Sequence, residues 1–184
     1  MTKRAMIDLE TLGTKPGCVI LEIGIVCNFT DPFKGRFADW RMYLNLDLAS
    51  QKTRTIDPLT LDWWRSRENA FERVLDVPKH EQLDPITACK QAALVLSRVD
   101  EVWANSPSFD CVILREFFEF AGVEVPWKYY QERDFRTAKA LHPDVIYPSV
   151  TNAHNALDDA AAQAVHLDKL GLWRPSNDEK AGAE

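Results

Sequence analysis

Two acidic residues near the N-terminus have a spacing that could hold a metal ion. Asp8 and Glu10 are two residues apart in the apolar segment AMIDLET. In a β-strand, residues i and i+2 point to the same face, so both carboxylates would project from one side. Like charges this close are unfavourable unless a cation lies between them. The pair alone is a weak signal, because a D-x-E triplet arises about once by chance in such a chain; one buried and one solvated carboxylate is the alternative.

Two further polar groups occur where helices are predicted to begin. The segment ANSPSFD follows an apolar strand and ends at Asp110, the first residue of an amphipathic stretch. In HNALDDA, His154 and Asp159 flank the start of another helix, so both could point to one place beyond its end. Structural roles are the alternative in both segments: Asp110 or an asparagine caps its helix, and His154 is solvated.

The rest of the sequence predicts a sheet with helices packed on it. Apolar and alternating segments predict strands over residues 5–9, 18–29, 41–48 and 102–104. Helical periodicity predicts helices over 59–70, 86–99, 108–122 and 155–170, while 135–141 is ambiguous between strand and helix. Three consecutive strands favour an antiparallel meander, and the mixed order that follows favours an α/β fold.

Composition narrows the class of protein. The chain has 184 residues, of which 46% are hydrophobic and 27% charged, as is typical of a globular domain. We expect one domain over residues 1–174 and a flexible tail over 175–184. The net charge of −6 argues against a protein that coats nucleic acid by bulk attraction. It does not argue against a nucleic-acid enzyme, because bound divalent cations attract phosphate locally.

Cysteine spacing and hydropathy predict the compartment. The four cysteines, at positions 18, 27, 89 and 111, lack C-x2-C spacing, so we expect neither a zinc site nor disulfides. The N-terminus has no apolar segment of the signal-peptide type, and no stretch approaches the ~20 apolar residues of a membrane span. We therefore expect a cytoplasmic protein that does not bind membranes.

Together the three motifs resemble those of the DEDDh family of 3′→5′ exonucleases, which includes oligoribonuclease, RNase T and the polymerase proofreading subunit. The motifs here are IDLETLG, ANSPSFD and HNALDDA, and they span most of the chain. All five expected catalytic positions carry the expected residue type: Asp8, Glu10, Asp110, His154 and Asp159. The segments TIDPLTLDWWRSR and RDFRTAKAL resemble the compact phage and prophage branch, with its exodeoxyribonuclease A-like and RNase AS-like members.

The resemblance implies an RNase H-like fold, a mixed five-stranded sheet with helices on both faces. It also implies two Mg²⁺ ions, which Mn²⁺ could replace, because hard oxygen ligands suit these cations. The four carboxylates would hold the ions, and His154 would be the general base for the attacking water. The product would be a nucleoside 5′-monophosphate released from a single-stranded DNA or RNA 3′ end.

Substrate contacts are expected beside these motifs. By resemblance, the backbone at Thr11 would meet the terminal 3′ hydroxyl, and Leu12 would wedge against the last bases. Asn105 and Phe109, in the second motif, are further candidates, although Phe109 could equally be a core residue that supports the helix start.

The adjacent tryptophans Trp63 and Trp64 are ~100° apart on a helix, so they face different directions. Trp63 shares a face with Leu59 and is predicted to lie in the core, which leaves Trp64 to stack on a base. The alternative places both in the core or at a subunit contact. We expect His80, His142 and His166 on the surface.

Several alternatives stay open at this stage. The same fold could hydrolyse a dinucleotide or another short diester, or it could be a binding module without catalytic activity. The sequence does not decide between DNA and RNA, because local contacts distinguish the two sugars. A homodimer is a further expectation, since members of the family often form one and six tryptophans would suit an interface.

Overall fold

The computed structural model describes residues 2–30, 39–150 and 152–174, so the predicted tail lies outside the described residues. The strands are β1 (Arg4–Thr11), β2 (Ile20–Thr30), β3 (Asp39–Leu46), β4 (Gln82–Leu83), β5 (Glu101–Ala104) and β6 (Glu132–Asp134). The helices are α1 (Pro58–Arg65), α2 (Glu68–Leu75), α3 (Pro85–Leu96), α4 (Asp110–Phe120), α5 (Phe135–Leu141) and α6 (Ala156–Lys169).

All six strands form one mixed sheet in the order β4-β3-β2-β1-β5-β6. The strands β1, β2 and β3 form the predicted antiparallel meander, whereas β5 pairs parallel to β1 and β6 pairs parallel to β5. The expected count of five strands was wrong by one. Two of the six, β4 and β6, are only two and three residues long, too short to produce a periodic signal.

Helices cover both faces of the sheet. Ile7 of β1 belongs to a core cluster that α3 and α4 close on one face. Its neighbour Met6 points the other way, into a second cluster with Ala160 and Leu167 of α6. Burial on both faces explains why β1 is apolar at nearly every position rather than alternating.

The start of α6 lies unusually close to the sheet. A Cβ atom built on Gly24 of β2 would lie 2.1 Å from the carbonyl oxygen of Ala156, so only glycine allows this approach. Asn155 caps the helix, and its side chain accepts a hydrogen bond from the Asp158 amide. The glycine therefore brings the third motif against β2, beside the end of β1.

Aspartate caps begin two of the helices. Asp57 caps α1 with Pro58 as the first helical residue, and the segment 135–141, which is ambiguous in sequence, is a helix that Asp134 caps. All four cysteines are free and buried. Within the described parts of the chain, no helix is long and apolar enough to cross a membrane.

Candidate active site

A cavity of about 840 Å³ opens where β1 and β5 end and α4 and α6 begin. In α/β sheets, the carboxyl ends of the strands are the usual position of a ligand site. The cavity brings together all five predicted catalytic residues: Asp8, Glu10, Asp110, His154 and Asp159.

The strand β1 delivers the first two carboxylates. Met6, Asp8 and Glu10 share one face of the strand, as their spacing predicts. Met6 packs in the cluster beneath α6, whereas Asp8 and Glu10 lie nearer the start of that helix and line the cavity. Gln163 of α6 donates a hydrogen bond to Asp8 Oδ1 at 2.8 Å, which fixes that carboxylate.

Asp110 is the first residue of α4 and is buried. Its Oδ2 accepts a hydrogen bond from the Ser106 amide at 3.3 Å, so the carboxylate closes the turn before the helix. The residue at the cap position, Phe109, makes no side-chain capping bond. Asp110 thus combines a local structural bond with a position that lines the cavity.

The third motif folds back on itself. The amide of His154 donates to Asp159 Oδ2 at 2.9 Å, which ties the histidine to the first turn of α6. His154 has a φ of 63°, in the left-handed region that residues other than glycine seldom adopt. Its carbonyl accepts a hydrogen bond from the Arg73 guanidinium of α2. The backbone on both sides of His154 is therefore held.

Three of the site's side chains could hold a metal ion. Glu10, His154 and Asp159 each offer one ligand atom, and these atoms lie within 4.8 Å of one another. Asp8 and Asp110, which complete the predicted carboxylate set, line the same cavity but are not part of this group of three. Carboxylate oxygens suit the hard cations Mg²⁺ and Mn²⁺.

Burial and mutual repulsion disfavour the charged forms of these carboxylates. Burial, reinforced by Asp159 and Glu22, raises the pKa of Glu10 to about 8. Burial raises the pKa of Asp110 to about 7, although backbone donors oppose the shift. The pKa of Asp8 is also well above its usual value, because the side chain is buried beside the other carboxylates. A bound cation would remove this repulsion, so the donor set fits a divalent metal.

The environment of His154 favours the neutral imidazole. Burial lowers the pKa of His154, and the nearby cations Arg67 and Arg73 act in the same direction, against the opposing effect of Asp159. A neutral imidazole has a free ring nitrogen that can accept a proton. The site thus places a proton acceptor beside a cluster of cation ligands.

Comparison with known proteins gives the family. The model of the 3′-5′ exoribonuclease Rv2179c-like domain matches residues 3–170, nearly the whole chain. This chain belongs to that family. Membership of this family agrees with the resemblance to 3′→5′ exonucleases that the three motifs carry. Placement in the phage branch stays a prediction. No curated protein matches the sequence.

Solved structures confirm the RNase H-like fold of this chain. It resembles exonuclease I with a TM-score of 0.61 and 16% identity, over 92% of this chain and 41% of that one. The present chain thus spans about two fifths of the length of the exonuclease I chain. It also resembles the nuclease domain of 3′hExo, a DEDDh family member bound to rAMP, with a TM-score of 0.51 and 12% identity, over 95% of this chain and 96% of that domain.

The residues of this chain that were predicted to contact substrate lie in different environments. Thr11, Asn105 and Phe109 line the cavity, and Phe109 also packs against the first core cluster, so both of its predicted positions apply. Leu12, the predicted wedge, is only 4% exposed and does not line the cavity, so its side chain is not available to contact bases in this conformation. The chain leaves β1 here, and the Leu12 side chain packs with Trp64 in a third, smaller cluster.

The two tryptophans have the opposite environments to those predicted, since Trp64 lies in the core and Trp63 is partly exposed. Trp64 is 1% exposed, donates its Nε1 hydrogen to the Thr11 carbonyl at 2.8 Å and stacks on Phe71. Trp63 is 37% exposed, and its ring centroid lies 4.8 Å from that of His154. Trp63 does share a face with Leu59, but Leu59 is 78% exposed, so that face of α1 lines the cavity mouth and not the core.

Sequence reasoning missed four polar residues around the site. Gln163 and Arg73 bond to the site as described above, and Glu22 and Tyr43 bond to each other beside the start of α6. A signal existed for Glu22, since it is the one charged residue inside the apolar run ILEIGIV. His166, expected on the surface, is buried in α6 against Phe135 and Tyr147, which pack on that side of the helix.

Proposed function

We propose that this protein is an exonuclease that removes nucleoside 5′-monophosphates one at a time from the 3′ end of single-stranded nucleic acid. The observation that carries the proposal is the convergence of four carboxylates and one histidine on a single cavity. RNA is the preferred substrate in this proposal, because the matching family is described as exoribonuclease. DNA is the substrate against which that preference is tested.

The carboxylates would hold two divalent cations, Mg²⁺ or Mn²⁺. Glu10 and Asp159, whose carboxylate oxygens lie close together, and Asp8 and Asp110, which line the same cavity, would supply the oxygen ligands. Bound cations of this kind polarise the phosphoryl group and acidify a water molecule. They would also attract the phosphate backbone to a protein whose net charge is −6.

His154 would act as the general base. Its neutral imidazole would accept the proton of the attacking water as the water oxygen bonds to phosphorus. The bond between phosphorus and the 3′ oxygen of the preceding nucleotide then breaks, and that oxygen takes up a proton. The lowered pKa of His154 keeps the acceptor form populated near neutral pH.

The α1 side of the cavity would bind the terminal base. Trp63 has the exposure and the position beside His154 that stacking on a base requires. Thr11 and Asn105 would supply polar contacts to the terminal nucleotide, and Phe109 would supply an apolar one. Trp64 contributes indirectly, because its indole holds the Thr11 carbonyl.

A paired digestion tests the proposal. We would incubate 5′-labelled RNA and DNA oligonucleotides of matched sequence with Mg²⁺, with Mn²⁺ and with EDTA. We expect a ladder that shortens from the 3′ end, faster on RNA, and lost in EDTA. Cleavage that persists in EDTA would contradict the metal requirement, and faster digestion of DNA would reverse the sugar preference. Intact oligonucleotides in both metals would overturn the proposal for polymeric substrates.

A further inference from the structure

A fifth buried carboxylate lies next to the catalytic set. Glu22 of β2 is directly opposite Glu10 in the β1–β2 ladder and is 0% exposed. Both of its oxygens already have partners: Oε1 accepts from the Tyr43 hydroxyl, and Oε2 accepts from the Ala156 amide at 3.1 Å. The group of potential metal ligands does not include Glu22. Its bonds lead to the third motif instead.

The hydrogen bonds of Glu22 form a continuous network with the residues that follow His154. The Tyr43 hydroxyl also accepts a bond from Asn155 Nδ2 at 2.8 Å. Asn155 Oδ1 in turn accepts from the Asp158 amide at 3.0 Å. Glu22 and Tyr43 therefore hold the two residues directly after His154, one through a side chain and one through a backbone amide.

His154 needs such support because of its backbone conformation. A non-glycine residue in the left-handed region, as His154 is, persists only where its surroundings impose that conformation. Arg73 holds the carbonyl of His154, and Asp159 holds its amide. The Glu22 network fixes the chain immediately afterwards, which completes the restraint.

We propose that Glu22, together with Tyr43, is a positioning residue that holds the His154 imidazole in its working orientation. The inference rests on the proposed role of His154 as general base. Glu22 touches neither substrate nor metal in this proposal, and its effect on the reaction comes through the turn at 154–156 rather than through its charge beside Glu10. The alternative is a purely structural role, in which Glu22 only stabilises the start of α6.

The first test separates turnover from stability. Glu22→Gln keeps the side-chain volume but replaces one of the two accepting oxygens with an NH₂ group. Because this group cannot accept a hydrogen bond, one of the two bonds to Glu22 is lost. We expect kcat to fall about 10- to 100-fold, as for other residues that orient catalytic ligands, with KM changed less than about twofold. Tyr43→Phe, which removes only the hydroxyl, should lower kcat in the same way but less.

A matched control comes from a carboxylate away from the third motif. Glu132 of β6 also accepts two side-chain bonds, from Arg115 Nε at 2.6 Å and from Trp127 Nε1 at 2.9 Å. Glu132→Gln should lower the melting temperature and leave kcat unchanged. If Glu22→Gln behaves in the same way, its role is structural and the proposal is overturned.

The second test asks whether Glu22 acts through His154. In a His154→Ala background, Glu22→Gln should lower the residual kcat by less than about threefold, because the group that it positions is gone. An equal fold-loss in both backgrounds would show that Glu22 acts elsewhere, and would overturn the proposal.

A readout without activity separates this inference from the proposed function. In protein labelled with ¹⁵N-histidine, the ring signals of His154 should shift or broaden in Glu22→Gln, whereas those of the exposed His80 should not. Unmoved His154 signals would overturn the inference even if the wild type is an active nuclease. If the His154 signals move in Glu22→Gln but the wild type has no nuclease activity, the result would support the positioning role of Glu22 and reject the proposed function.

Discussion

The cavity has a floor, formed by β1, β5 and the starts of α4 and α6, and a wall, formed by α1. On the floor, Glu10 is 8% and Asp110 is 3% exposed, and Asp8 accepts a hydrogen bond from Gln163. On the wall, Leu59 is 78% and Trp63 is 37% exposed. Ionisable carboxylates are therefore shielded from solvent on the floor, whereas apolar side chains are exposed to solvent on the wall.

This difference follows from what each part would do. Charges that act on a phosphate must be held in place before the substrate arrives, and only surrounding structure can hold buried charges against their repulsion. A wall that meets different bases needs contact area and tolerance, which an exposed aromatic ring supplies. The four predictions below test whether floor and wall separate in this way.

The largest effect is expected on the floor, at Asp159. Asp159→Asn keeps the side-chain shape but removes the charge that would bind a cation. Since metal ions contribute several kcal/mol to such reactions, kcat should fall by about 10³-fold or more. Single-turnover digestion with excess enzyme would measure the loss, and circular dichroism would check that the variant is folded. Metal-dependent turnover near the wild-type rate would remove Asp159 from the metal site.

Trp64, at the base of the wall, should matter mainly for stability. Its indole fills the third core cluster and bonds to the Thr11 carbonyl. Trp64→Ala should lower the free energy of unfolding by about 3–5 kcal/mol, as large-to-small substitutions in cores do. Urea denaturation followed by circular dichroism would measure this. A loss below about 1 kcal/mol would mean that the indole is not a core side chain.

Trp63 gives the matched contrast, one residue earlier in the same helix. Trp63→Ala removes the exposed ring beside His154 and should leave the melting temperature within about 2 °C of the wild type. Loss of one stacked base is equivalent to about 1–3 kcal/mol, so KM should rise about 5- to 150-fold. Steady-state kinetics on a short RNA would measure it. An unchanged KM together with a clearly lower melting temperature would place Trp63 in the core.

The two tryptophans also show the limit of prediction from sequence. Helical spacing correctly placed Trp63 and Trp64 on different faces, and correctly grouped Trp63 with Leu59. It could not tell which face meets the core, because that depends on where β1 and β2 lie in space. Trp64 packs with Leu12, 52 positions earlier in the chain, and no local pattern contains that contact.

The sequence predicts the five candidate catalytic residues but not the residues that hold them in place. The types and spacing of Asp8, Glu10, Asp110, His154 and Asp159 were readable because each short motif keeps its chemistry together in sequence. Glu22 was missed because its partners, Tyr43 and Ala156, are distant in the chain. The short strands β4 and β6 were missed for a related reason, since each forms only by pairing with a distant strand.

The last prediction concerns the stability of the metal-free floor. Burial raises the pKa of Glu10 from 4.5 to about 8, so the folded state binds the proton more tightly than the unfolded chain. The resulting stabilisation is complete below about pH 4.5 and is lost as the pH rises to about 8. In EDTA, the melting temperature should therefore fall between pH 5 and 8, and Mg²⁺ should restore it.

Glu10→Gln should remove much of this pH dependence, since an amide has no charge to bury. A gain of about 1 kcal/mol is equivalent to about 2–4 °C for a chain of this size, and we expect the variant to melt at least that much higher than the wild type in EDTA at pH 8. Asp62→Asn is the matched control on the wall, where the carboxylate is exposed and, among the described residues, forms an ion pair only with Arg65. It should leave the pH dependence unchanged. If both variants change the pH dependence of the melting temperature equally, the repulsion between carboxylates is not confined to the floor. The proposed difference between floor and wall would then be wrong.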